Sequence, residues 1–143
     1  MFIRRLLPLV LICAVSACGS AASPTAPSTS VGVFTTTDLV IGTSATATTG
    51  SRVIVNYATW LYDTSKPNGK GTEVDPGPGP LNFVIGSANL VQGFQQGVIG
   101  MRVGGQRRVI VPPELAYGNN SPDPTTIPQG ATLVFDISLT SSL

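Results

Sequence analysis

The run Val53-Ile54-Val55-Asn56-Tyr57-Ala58-Thr59-Trp60-Leu61 is crowded with β-branched and aromatic side chains. Such residues lose rotamer freedom in a helix and pack well on a pleated surface, so the run predicts a strand lying against a buried face. Arg107 to Val111 and Thr132 to Thr140 predict two more strands. In the second, Leu133, Phe135, Ile137 and Leu139 recur at a period of two, which puts them on one face. Asp38 to Thr49 is Thr-rich with weaker alternation and predicts an outer strand. Pro67-Asn68-Gly69, the Pro76-Gly77-Pro78-Gly79-Pro80 segment and Gly104-Gly105 read as turns.

One segment predicts a helix, Leu90 to about Ile99. Ser87 or Asn89 is placed to cap it, and Val91, Phe94 and Val98 recur at helical spacing. Gly93, Gly97 and Gly100 oppose it, each costing about 1 kcal/mol against Ala, so packing must hold it. The fold class is therefore α+β, an antiparallel β-sheet wrapped around one short α-helix. Val31 to Leu143 is the length of a single domain with one core. Ser20 to Ser30 is almost entirely Ser, Ala, Pro and Thr, which reads as an extended tether.

Composition removes several chemistries. The chain has no histidine, which excludes Ser-His-Asp and Cys-His hydrolases and the usual zinc sites. Gly69-Lys70-Gly71 lacks the spacing of a phosphate-binding loop, and the glycines from Gly93 to Gly105 lack the dinucleotide fingerprint. With 8 Lys and Arg against 7 Asp and Glu, no basic field exists to recruit nucleic acid.

The ordered set Val53-Ile54-Val55-Asn56-Tyr57, Phe83-Val84-Ile85-Gly86, Val103-Gly104-Gly105-Gln106-Arg107-Arg108, Pro112-Pro113-Glu114-Leu115-Ala116-Tyr117-Gly118 and Ala131-Thr132-Leu133-Val134-Phe135-Asp136-Ile137 resembles the FKBP-type peptidyl-prolyl cis–trans isomerases. The resemblance covers roughly Asp38 to Leu139. It implies the family's fold and an activity, X–Pro isomerisation, that needs no nucleophile, metal or cofactor. By resemblance, a proline ring would sit on Phe94, where many relatives carry Trp, with Tyr57, Val91, Phe135 and Leu81 as walls. Leu90 and Val91 would open the helix and present the Val91 amide to a substrate carbonyl, Tyr117 would donate its hydroxyl to a second carbonyl, and Ile127 would form a lip. Relatives carry a Phe-Asp pair after the first long strand. Glu73-Val74-Asp75 is the nearest match, so Val74 would stand for the Phe and Asp75 would keep the carboxylate, with Asp63 or Glu73 as alternatives. Thr59 stands where relatives often have Gly. Periodicity alone reads Phe83, Val91, Phe94 and Phe135 as core; the resemblance moves Phe94 and Phe135 to the pocket and leaves Phe83 in the core. Arg107 and Arg108 read as solvated strand residues.

Partners implied are X–Pro-containing polypeptides and macrolide-type pocket ligands, taken by a monomer. Another reading of the same pocket is a binding module that holds Pro-containing segments without turnover. A holdase chaperone would need an inserted domain between Tyr117 and Pro128, where there is only a short loop.

The N-terminus carries its own pattern. Arg4 and Arg5 precede an apolar stretch, Leu6 to Ala14, too short to span a bilayer comfortably. Val15-Ser16-Ala17-Cys18 then resembles the bacterial lipobox, implying a signal peptide over residues 1–17 and acylation of Cys18; an ordinary signal peptide cut near Ala17 is the alternative. With two acyl chains the anchor would hold. Gly19, rather than Asp, points to the outer membrane, facing the periplasm or the surface. Cys13 would leave with the leader, so no disulfide can form within the mature chain.

Overall fold

The computed structural model describes residues 32–87 and 89–143. The expected leader, Cys18, the expected Ser20–Ser30 tether and the expected domain start at Val31 lie outside the described residues. The β-rich run around Tyr57 forms β2 (Arg52–Tyr62), the longest strand of the sheet. Before it comes β1 (Thr35–Val40); after it come β3 (Lys70–Asp75), β4 (Leu81–Val84), α1 (Gln92–Val98), β5 (Gln106–Val111) and β6 (Leu133–Ser142). All the strand pairings are antiparallel, in the order β1-β5-β6-β2-β3, with β4 also on β2.

One side of β2 runs its full length along β6, from Val53 opposite Ser142 to Leu61 opposite Leu133. The other side is divided. Arg52 to Val55 pair with β4, and Thr59 to Tyr62 pair with β3. Between the two partners lies the Pro76-Gly77-Pro78-Gly79-Pro80 arm. Its prolines have no N–H to continue a ladder, so the sheet edge opens where Tyr57 stands.

The alternation expected of β6 is realised: Leu133, Phe135, Ile137 and Leu139 are all buried, together with Val53, Val55, Val109 and Val111 from neighbouring strands. The helix α1 lies on this face against β5 and β6, adding Phe94 and Val98 to the core. Gly93 and Gly97 explain how it comes so near. A Cβ at Gly93 would sit 2.3 Å from Val111 Cγ1, and one at Gly97 2.6 Å from Val109 Cγ2. The glycines that weaken the helix by propensity are the ones that let it touch the sheet.

On the opposite face, Asp136 accepts from Lys70 Nζ at 2.8 Å and from Arg108 Nε and Nη2 at 2.7 and 2.9 Å. Burial alone would raise the Asp136 carboxyl, but the Arg108 and Lys70 bonds outweigh it and hold it below the ordinary value. Lys70 Nζ also lies 3.4 Å from the centre of the Trp60 ring.

Several expectations need correction. The outer strand is Thr35–Val40 rather than Asp38–Thr49, and beyond it there is only an isolated Thr46–Arg102 bridge. Gly42 explains the departure, because the site of its missing Cβ is filled by the carbonyls of Arg102 and Val103. The helix is shorter than Leu90–Ile99: Val91 and Ile99, its flanking residues, have ψ of 126° and 131°, outside the helical range. Neither Ser87 nor Asn89 stands at the N-cap, which is Val91 and makes no side-chain cap bond. Instead Gln95 reaches back, donating to Leu90 O at 3.1 Å and accepting from Gly86 N at 2.8 Å. Arg107 and Arg108 are not solvated; their side chains are 13% and 15% exposed, and both are ion-paired. Arg107 Nη1 donates to Gly97 O and Ile99 O, both at 3.0 Å, satisfying carbonyls that a helix end leaves open.

Gly97→Ala tests the close approach. Helix propensity alone would favour Ala by about 1 kcal/mol, whereas overpacking against Val109 costs about 1–3 kcal/mol. The urea midpoint should fall. A raised midpoint would show that α1 does not bear on β5 through this glycine.

Candidate active site

The opened sheet edge and the near end of α1 enclose a cavity of about 120 Å³. Tyr57 and Thr59 from β2, Asp75 from the end of β3, Leu81 from β4 and Leu133 and Phe135 from β6 line it. Asn89, Leu90, Val91 and Phe94 line it from the turn into α1, and Tyr117 and Ile127 from the segment between β5 and β6.

Phe94 is the floor. Its ring meets Tyr57 edge-on at 5.4 Å between centroids and Phe135 edge-on at 5.2 Å, the arrangement that aromatic quadrupoles favour. Phe83 lies 5.9 Å from Phe94 but does not line the cavity, and at 7% exposure it belongs to the core. Phe94 itself is only 3% exposed. Three neighbouring rings thus fix its orientation.

Asp75 is fastened at both oxygens. The Tyr57 hydroxyl donates to Oδ2 at 2.9 Å, and the Gly77 amide donates to Oδ1 at 2.9 Å. Gly77 holds a φ of +76°, and a Cβ there would fall 2.0 Å from the Tyr57 carbonyl oxygen. Only glycine fits this place. Burial, then the bond to Asp75 and its charge, push the Tyr57 hydroxyl up to about 12. Burial, then the Asp75 charge, also raise Tyr117. Both phenols are therefore donors at neutral pH. The Tyr57 proton is committed to Asp75, whereas no partner is found for the Tyr117 hydroxyl among the described residues.

The structure brings together Tyr57, Asp75, Leu81, Leu90, Val91, Phe94, Tyr117, Ile127 and Phe135 around one cavity. It leaves out Val74, which is half-buried on β3. Neighbouring strand residues face opposite sides, so with Asp75 turned to the cavity Val74 is turned away. Asp63 and Glu73, the alternatives to Asp75, do not line the cavity either. Sequence reasoning did not assign Thr59, Leu133 and Asn89 to the lining. Thr59 and Leu133 were legible, since each lies two residues along its strand from Tyr57 or Phe135. Among the described residues, no group of three or more His, Cys, Asp or Glu is placed to hold a metal ion.

Comparison with known proteins agrees with this geometry. The family model for FKBP-type peptidyl-prolyl cis-trans isomerase matches residues 43–140. The chain is 45% identical over 108 residues to the chloroplastic peptidyl-prolyl cis-trans isomerase FKBP16-4 of Arabidopsis thaliana, covering 73% of this chain and 46% of that one. It is 39% identical over 113 residues to FK506-binding protein 3 of Candida albicans, covering 79% and 25%. It thus spans less than half of either relative. The crystal structure of AtFKBP13 superposes with a TM-score of 0.62 at 29% identity, covering 77% of this chain and 93% of that one. A peptidyl-prolyl cis-trans isomerase from Pseudomonas syringae gives a TM-score of 0.61 at 28% identity, covering 76% and 74%. By the match of its family model, its relatives and its six-stranded antiparallel sheet with one short helix, this chain belongs to the FKBP-type peptidyl-prolyl cis-trans isomerase family.

Proposed function

We propose that this chain accelerates cis–trans rotation about X–Pro bonds of polypeptides in the cavity over Phe94. The observation that carries the reading is the ring-walled cavity itself, lined mainly by apolar side chains, with Thr59, Asn89, Asp75 and the two tyrosine hydroxyls as its polar groups. An apolar cavity of about 150 Å³ holds benzene, so about 120 Å³ suits a five-membered ring. Rotation must break amide resonance over a barrier of about 18–20 kcal/mol. The twisted amide is less dipolar than the planar one. A site that excludes water therefore penalises the planar ground state more than the twisted state, and each tenfold in rate needs only about 1.4 kcal/mol of that difference.

In this scheme Phe94 carries the proline ring, while Tyr57, Leu81, Leu133 and Phe135 exclude water. The Tyr117 hydroxyl donates to a substrate carbonyl, the amide of Val91, the residue just before α1, meets another, and Ile127 covers the mouth. Asp75 acts by holding Tyr57 in place. The same pocket suits macrolide-type ligands.

The test is exchange spectroscopy on a short X–Pro peptide with the full chain. Exchange should be accelerated without added metal or nucleotide. Phe94→Ala should lower kcat/KM by much more than tenfold and cost about 3–5 kcal/mol of stability. Phe94→Trp should keep the fold and retain or raise macrolide affinity, while Phe83→Leu should move the melting temperature more than turnover. A well-folded chain that binds Pro peptides without accelerating exchange would make it a binding module instead.

The tyrosines give a second check. A phenol whose folded value is raised stabilises the fold fully below its unfolded value of about 10. That stability is lost as pH rises toward the folded value of about 12 for Tyr57. Between neutrality and about pH 9, turnover should therefore show no inflection from phenol ionisation. Tyr57→Phe should remove one late step from the tyrosinate absorbance titration; an unchanged titration curve would show that Tyr57 is not raised.

We further propose that the chain is a monomeric lipoprotein of the bacterial envelope, with Cys18 acylated after removal of residues 1–17 and residues 18–30 as tether. The order basic pair, short apolar stretch, small residues, cysteine supports this. Its substrates would then be exported or surface polypeptides, met at the outer membrane. In a bacterial host, the full chain should incorporate labelled palmitate and partition into detergent, and Cys18→Ala should abolish both. Release of unlabelled wild-type protein into the periplasm would overturn the anchor and leave the isomerase reading standing.

A further inference from the structure

Asp75 is the only charged side chain among the residues lining the cavity, and no cation answers it. The ion pairs of the described residues are Lys70 and Arg108 with Asp136, and Arg107 with Asp38. Arg52 begins β2, beside the C-terminal Leu143, Lys66 lies in the turn before β3, and Arg102 is at the isolated bridge to Thr46. None of these bases lines the cavity.

The segments that frame the mouth carry no base either. Residues 76–81 and 89–94 have no charged side chain, and residues 113–131 have only Glu114 and Asp123. Both donors that hold Asp75, the Tyr57 hydroxyl and the Gly77 amide, are neutral. Its negative charge therefore stands uncompensated at the rim of an apolar hollow, where low-dielectric walls weaken screening and focus a field outward.

Resting on the isomerase reading of this cavity, we infer that Asp75 makes the site select X–Pro segments flanked by Lys or Arg over segments flanked by Asp or Glu. A cation carried a residue or so from the bound proline meets the carboxylate without entering the hollow. An anion at the same place meets the same charge with no base nearby to offset it. Asp75 thus acts as a specificity-determining residue in addition to fixing Tyr57.

The experiment uses the full chain and three peptides, Lys-Leu-Pro-Phe-Lys, Gln-Leu-Pro-Phe-Gln and Glu-Leu-Pro-Phe-Glu, which keep the residues beside proline constant. Exchange rates and affinities from chemical-shift titration are measured at about 0.01 M and about 0.5 M salt, across which the screening length shortens from about 30 Å to less than 10 Å. At low salt the order should be Lys over Gln over Glu, with about three- to tenfold between the extremes. High salt should bring the ratio toward one. Asp75→Asn should collapse the low-salt ratio whatever it does to the absolute rate, a change that loss of Tyr57 positioning alone would not produce. The salt series on the native chain decides the matter if that variant does not fold. Equal rates and equal affinities for the three peptides would overturn the inference alone, as would a ratio that Asp75→Asn leaves intact. Affinities in the expected order without accelerated exchange would overturn the isomerase reading alone. Failure to bind any of the peptides would overturn both.

Discussion

The site depends on how near α1 comes to the sheet. Phe94 can form a floor only if its helix lies on β5 and β6, and that distance is set where Gly93 faces Val111 and Gly97 faces Val109. The missing methyl groups are clearance. With them absent, Phe94 drops between Tyr57, Phe83 and Phe135 and is held by ring contacts on three sides. Close packing then makes a rigid floor out of a seven-residue helix, which would not persist alone in water. Arg107 completes the arrangement by bonding the carbonyls at the helix end.

A second constraint shapes the wall. The long strand β2 needs partners on both sides, yet its outer partner changes from β4 to β3 near Tyr57. The proline arm between them can pack against β2 but cannot extend its ladder. A continuous partner strand would close the edge beside Tyr57. The interrupted one leaves room for Asp75, Leu81 and the cavity they line. Gly77 fits against the Tyr57 carbonyl and simultaneously bonds Asp75, so the same departure from a regular sheet both opens the cavity and fastens its carboxylate.

What the sequence disclosed follows from where burial leaves a periodic trace. β2, β5 and β6 were legible because their apolar residues face the core. β1 was legible only over Asp38–Val40, where it overlaps the expected outer strand, because all six of its residues are exposed and burial leaves no clear alternation. β3 is polar and β4 only four residues long, too little pattern for either to announce a strand. The helix was legible as a helix, but its ends were fixed by extended Val91 and Ile99 rather than by a capping side chain. Around the cavity, the resemblance named nine of the twelve residues that line it. Val74 was misplaced by strand parity, and the pairing that holds Arg107 and Arg108 could not be read because Asp38 and Asp136 lie far away along the chain.

The tethering of Asp75 bears on why a carboxylate is compatible with an apolar site at all. A free carboxylate would keep its hydration, and the water accompanying it would defeat the exclusion on which the proposed amide twisting relies. Here one oxygen is bonded to Tyr57 and the other to Gly77, so protein donors replace part of that water and the charge stays at the rim. Tyr57 gains as well, since its hydroxyl is satisfied without a solvent partner and its ring can present an apolar edge to Phe94. The Tyr117 phenol, more than a third exposed, is left without a partner among the described residues. The two phenols thus differ in their bonding, and the direction of the Asp75 carboxylate sets the difference.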